Sequence, residues 1–229
     1  MLVAALTLSV VAAAIPSAAS ALKYEWSVNK TPLASGSSEE FTTKLPSGGK
    51  ITFVTKFGGE KLELSAAQVK VKSGAIIKGG LPGTGEESLT FEKVSVVKPK
   101  ECVVVGQRIA TEPLKATIVQ AASGGVGSGQ TAILLKNKSG EVPFVLSFEN
   151  EVGGTCALGG VRGSVSGDFL AKLTQSEVNP QTLTFGGGQE YIPSGGSATT
   201  AGLKFGGIAF TIEGATEMEL LTKSPFAAL

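Results

Sequence analysis

Leu203-Lys-Phe-Gly-Gly-Ile-Ala-Phe-Thr-Ile-Glu-Gly-Ala-Thr-Glu-Met-Glu-Leu220 decides the fold class of this chain. Ile208, Phe210 and Ile212 share one parity, and Met218 and Leu220 keep it beyond Gly214. Residues two apart lie on one face of an extended strand, so the pattern predicts a strand with one buried face. The stretch from Ala215 to Lys223 also fits one or two helical turns, although its parity suits a strand equally well. The same period recurs upstream. Tyr24, Trp26 and Val28 oppose Glu25, Ser27 and Asn29; Ile51, Phe53 and Phe57 repeat it; Val69 and Val71 alternate with Lys70 and Lys72. Phe144, Leu146 and Phe148 form the clearest stripe. Between Leu89-Phe91 and Val94-Val96 the phase slips, which predicts a β-bulge between Phe91 and Val94.

Turn signals separate these runs: Pro46-Ser-Gly-Gly49, Gly58-Gly59, Gly79 to Gly85, Gly124 to Gly129, Gly153-Gly154, Gly186 to Gly188 and Pro193-Ser-Gly-Gly196. Glycine supplies 31 of 229 residues, about twice the average share of about 7%. Many short alternating runs at spacings of roughly 8–15 residues predict an all-β antiparallel sandwich or barrel-like architecture with at most short helices. We expect one β-rich domain over 22–229, with a lobe boundary near 174–180 (TQSEVNP).

Residues 1–21 are apolar and uncharged and end in Ala19-Ser-Ala21. This predicts a signal peptide cleaved before Leu22, with a retained membrane anchor as the alternative because no Lys or Arg precedes the apolar run. Export makes the two cysteines, Cys102 and Cys156, a predicted disulfide. Both lie in strand-like context, each expected to open a strand.

Lys+Arg 20 against Asp+Glu 19 gives a net charge of +1. The signs are interspersed and only Arg108 and Arg162 carry guanidinium groups, so no nucleic-acid partner is expected. One Trp and two Tyr are too few for the aromatic girdles of a lipid-facing barrel. No membrane contact is expected once the signal is removed. The chain has no histidine, which excludes Ser-His-Asp and Cys-His catalysis and His-ligated metal. Asp168 is the lone aspartate, which excludes an aspartic dyad and an EF-hand loop. No catalytic, cofactor-binding or metal-binding residue is assigned. The carboxylate pairs Glu149/Glu151 and Glu217/Glu219 are the candidates for glycoside hydrolysis. Same-parity glutamates on a strand more often mark its solvent face.

Two motifs have bland readings. Gly124-Gly-Val-Gly-Ser-Gly129-Gln130-Thr131 approaches a phosphate loop but has Gln130 where the lysine belongs, so a hairpin loop is expected. Leu81-Pro82-Gly83-Thr84-Gly85 matches a sortase signal but stands far from the end of the chain, so a proline–glycine turn is expected. Asn29-Lys-Thr31 and Asn137-Lys-Ser139 fit the glycosylation sequon.

Taken together, Trp26-Ser-Val28, Cys102-Val-Val-Val-Gly106, Ile109-Ala-Thr111-Glu-Pro113-Leu114, Gly154-Thr-Cys156 and Gly163-Ser-Val-Ser-Gly167 resemble an uncharacterised family of secreted, β-rich bacterial proteins of unknown function. Members of that family often carry extra cysteines before the first of this pair, where this chain reads Val96-Val97-Lys98. The resemblance implies export and β-structure and adds no site. The expected function is that of an exported, non-enzymatic structural or binding module at the cell surface or outside the cell, with a glycan or protein partner. The alternative is a secreted carbohydrate-active hydrolase using glutamates.

Overall fold

A computed structural model of the chain describes residues 24–122, 130–174, 176–186 and 190–229. The signal segment 1–21, the cleavage point at Leu22, the glycine loop 124–129 and part of the Gly186 to Gly188 turn lie outside the described residues.

The strands run in chain order as follows. The first five are β1 (Trp26–Val28), β2 (Thr31–Pro32), β3 (Ser38–Lys44), β4 (Ile51–Phe57) and β5 (Glu60–Val71). Then come β6 (Ile76–Lys78), β7 (Thr84–Glu87), β8 (Leu89–Lys98), β9 (Cys102–Val104) and β10 (Arg108–Ala110). The third group is β11 (Leu114–Ala121), β12 (Thr131–Asn137), β13 (Phe144–Asn150), β14 (Arg162–Leu173) and β15 (Gln181–Phe185). The last are β16 (Glu190–Ile192), β17 (Thr199–Thr200), β18 (Gly202–Phe205), β19 (Ile208–Leu220) and β20 (Phe226–Ala228). Among the described residues the sole helical element is a 3-10 turn at Val105–Gln107. Every strand pairing is antiparallel, so the all-β antiparallel expectation holds.

The pairings close into one elongated barrel of eight rows. β19 pairs with β3 and, further along, with β4, which therefore lie end to end. β3 pairs with β6, and β4 with β5. Those two meet β7 and β8, a pair nearly continuous in the chain. β7 pairs with β11 and β8 with β10. β11 pairs with β12, and β10 reaches β13 through the Thr111–Phe144 bridge. β12 and β13 both pair with β14. β14 pairs with β15 and β18, and both return to β19. Long rows such as β14 and β19 cross the whole barrel; the shorter strands meet in pairs at its waist. Thirteen residues give β19 a length of about 44 Å.

The two long strands change partners at glycines. Around Gly167, where φ is +99°, β14 exchanges β18 for β15 on one side and β13 for β12 on the other. β19 leaves β4 and gains β15 at Gly214, where φ is +128°. Such φ values suit glycine, which has no Cβ to clash with its own backbone, and a Cβ at either position would also run into the neighbouring strand. Ile212, Met218 and Leu220 keep one inward parity across the change, and the helical reading of 215–223 gives way to strand. Ile208, at the strand start, is exposed instead of buried.

An eight-stranded barrel can be filled by its own side chains, and the described residues fill this one. In the β4–β5–β8 half, Phe53, Phe91, Phe144, Phe148, Phe205 and Phe210 pack into one aromatic cluster, with Phe53 and Phe91 rings edge-to-face at 5.0 Å. Contacts of this kind add about 0.5–1.5 kcal/mol each beyond area burial. Gly163 leaves the room that the Phe205 ring occupies. The other half holds Leu114, Ile118, Leu135, Phe169, Leu173 and Met218. Both halves belong to one continuous core.

Each end is closed. β2, β1 and β20 form a small sheet that lies over the end built by β7, β11 and β15. Over the opposite end, β9 pairs with β13, and the Cys102–Cys156 disulfide ties it to the turn at 151–160, with Cα atoms 4.8 Å apart. The bridge matches expectation, but Cys156 sits in that turn and opens no strand; β14 begins only at Arg162. The backbone N–H of Cys156 donates to Asn150 Oδ1 at 2.9 Å, which fixes the turn without strand pairing.

The bulge expected between Phe91 and Val94 falls elsewhere. The register of β5 and β8 shifts at Glu63/Leu64, leaving Val97 as the extra residue. At 91–94 both strands change phase together: Val69 opposes Phe91, Ala66 opposes Val94, and all four are buried. Lys93 absorbs the change with φ +52°. The 174–180 stretch joins β14 to β15, which pair with each other; Gln175 lies outside the described residues.

Candidate functional site: the waist of the barrel

Six rows of the wall are built from two strands end to end, and a cavity lies at four of these junctions. Between β3 and β4, a cavity of about 640 Å³ lies beside Lys44, Gly49 and Lys70. Between β5 and β6, one of about 120 Å³ is lined by Lys72, Glu86, Glu87 and Pro113. Between β15 and β18, about 490 Å³ is enclosed by Leu170, Ala201, Thr211 and Glu213. Between β12 and β13, about 380 Å³ is lined by Lys136, Glu141, Ser166, Asp168 and Lys204. Three of these fall in the range of small-ligand pockets. Gly202 borders both of the last two, so an apolar and a polar cavity adjoin.

The polar cavity holds the chain's one aspartate. Asp168 follows Gly167 at the partner change of β14, and its carboxylate meets Lys136 Nζ at 3.0 Å. That carboxylate holds the Lys136 ammonium above the usual lysine range, and Tyr191 adds to the effect. Tyr191 belongs to β16, part of the 190–201 excursion. That excursion covers a second small cluster with Val119, Leu134 and Leu170 on the outer wall. Lys204 stands opposite Ser166 on the same face.

Further round the waist, Glu86 accepts from Lys78 Nζ at 2.5 Å and from Lys138 Nζ at 2.7 Å. The two lysines hold its carboxyl down at about 2. Its neighbour Glu87 has the opposite environment. It shares the parity of inward-facing Gly85, lies opposite fully buried Leu114, and burial pushes its carboxyl up to about 7.

The glutamates proposed for hydrolysis stand apart from these cavities. Glu149 and Glu151 are exposed beside the disulfide turn. Glu217 and Glu219 lie on the outer face of β19, paired with Lys44 at 3.6 Å and Lys223 at 2.8 Å. Among the described residues no group of three His, Cys, Asp or Glu is placed to hold a metal ion. Leu81-Pro82-Gly83 forms a turn and Thr84 starts β7. β11 and β12 pair antiparallel on either side of the glycine loop, with Gln120 opposite Thr131. In the second sequon the Asn137 amide donates to the Val142 carbonyl.

Sequence reading missed Lys136, Lys204 and Glu86 because each is one more outward residue on its strand. Register across five strands brings them to one belt, and register is not visible in a single strand's alternation. No protein-family model, curated protein or solved structure matches this chain.

Proposed function

We propose that the protein is a non-enzymatic module that works outside the cytoplasm, by binding or by structure, at the cell surface or in the medium. The observation that carries this reading is the filled and doubly capped barrel. Among the described residues the interior is filled and the cavities lie in the wall, so a partner meets the barrel from outside. The disulfide suits an oxidising compartment, and the apolar segment 1–21 suits export. Glu217 and Glu219 are neutralised on an outer face, which disfavours a pair of catalytic carboxyls acting on a sugar.

The test uses the purified chain recovered from culture medium. Intact mass should begin at Leu22. A glycan and surface-protein binding screen should show retention, and a panel of glycoside substrates should show no turnover. Turnover abolished by Glu217→Gln or Glu149→Gln would overturn the reading in favour of a hydrolase.

A further inference from the structure

We propose that the polar waist cavity beside Asp168 and the lysines around it bind an acidic saccharide, a sugar polymer bearing carboxylate or sulfate groups. This rests on the reading of the protein as an extracellular binding module and names its ligand class.

The register of β11 and β12 carries the argument. Lys115 stands directly opposite Lys136 on one side and Glu86 on the other, and both lysines are exposed. Like charges directly opposite on neighbouring strands destabilise a sheet. The surroundings deepen the excess. Lys78, Lys138 and Lys204 share the belt, so five ammonium groups face Glu86, Asp168 and Glu141. Glu86 is already occupied by Lys78 and Lys138, and Asp168 by Lys136. Among the described residues Lys115 and Lys204 have no ion pair. The belt crosses β6, β7, β11, β12, β14 and β18, six consecutive rows of the barrel's eight, and an extended anion wrapped along it would meet successive ammonium groups.

The cavity selects the kind of anion. Its volume of about 380 Å³ suits one or two sugar units. Lys204 and Ser166 can donate hydrogen bonds to it, while Asp168 and Glu141 can accept from sugar hydroxyls. No arginine lines the site to make the bidentate phosphate contacts that a nucleic acid favours.

Binding is measured on immobilised heparin, on polygalacturonate and on neutral dextran. Retention is expected on both acidic polymers and not on dextran, and it should fall as salt rises from about 0.05 M to about 0.5 M. Lys115→Gln with Lys204→Gln should weaken binding about tenfold or more, with unchanged circular dichroism. Lys56→Gln with Lys61→Gln, opposite each other on β4 and β5 away from the cavities, should leave it unchanged. Equal affinity of the double variant and the parent protein, equal affinity for duplex DNA, or no retention at low salt would each overturn the proposal. Retention of a neutral glycan or a protein, with none on the acidic polymers, overturns this ligand class and leaves the binding-module reading standing.

Discussion

Trp26 donates its indole Nε1–H to the Thr84 carbonyl oxygen at 2.8 Å, and this bond seats the N-terminal strand over one end of the barrel. Trp26 is buried, its ring 6.4 Å from that of Phe226 on the neighbouring strand of the lid. Gly83 lies beneath it; a Cβ there would come within 2.8 Å of both Trp26 and Ile118. Gln181, wholly buried, ties the lid from the other side by donating to the carbonyls of Ser176 and Phe226. The lid is therefore held by packing and by hydrogen bonds to backbone.

Removing the indole should loosen that end first. Trp26→Ala is expected to cost about 3–5 kcal/mol. Trp26→Phe keeps most of the apolar volume but removes the bond to the half-buried Thr84 carbonyl, and should cost about 1–2 kcal/mol. Urea melts followed by circular dichroism measure both. Equal losses for the two variants would mean that the hydrogen bond, and not the ring, secures the lid.

The opposite end depends on the disulfide. Cys102 and Cys156 close a loop of 156 − 102 + 1 = 55 residues, for which chain entropy gives about 4 kcal/mol. The unfolded, unreduced protein should take up no thiol reagent, and reduction should lower the melting temperature. Labelling at both cysteines would refute the bridge.

The strands were readable because each has one face in the core: the stripes at Ile51 and Phe53, at Phe144 to Phe148 and at Phe210 to Leu220 are buried where alternation put them. The joint phase change at Ala66/Val69 and Phe91/Val94 misled the bulge assignment. One strand shows only a slip, and whether its partner slips with it depends on pairing. The neighbours of Cys156 suggest a strand, but Leu158 is buried by the end cap and not by a sheet. The waist was illegible for a stronger reason. Its lysines and carboxylates come from six strands, and what joins them is the closing of the barrel, a property of no single segment.

Glu87 should make stability depend on pH. Its carboxyl titrates near 7 in the folded protein, raised by burial from an ordinary 4.5. Between those values the folded state holds a proton that the unfolded chain has released. Stability therefore falls as pH rises from 4.5 to about 7, and stays lowered above it. Partial exposure screens the charge, so the loss is ~1–3 kcal/mol. Glu87→Gln should raise the melting temperature at about pH 8 and change it little near pH 4. The same gain at both values would show that the carboxyl's charge is irrelevant.

The sharpest test of the architecture is at the glycine where β19 crosses the waist. Gly214 has φ +128°, and a Cβ there would run into the Lys50 carbonyl oxygen and come within 3.0 Å of Ile51 Cδ1. Lys50 and Ile51 lie at the start of β4, whose last rung with β19 is Ile51–Gly214. On the other side Gly214 opens the ladder to β15 through Phe185. A side chain would have to push β4 away or break that new ladder, and both ends of the wall depend on the same residue. Gly207, in the β18–β19 turn, makes the comparison clean: its φ is +82°, and a Cβ there meets nothing within 4 Å. Gly207→Ala should therefore cost only the backbone strain of about 1–2 kcal/mol. Gly214→Ala adds a collision with main-chain atoms of a central strand and should cost about 3 kcal/mol or more, at the extreme of single substitutions. Denaturant titration of the two variants in parallel decides it. Equal losses would show that β19 can bend at the waist without its glycine, and that the two halves of the barrel are not locked together there.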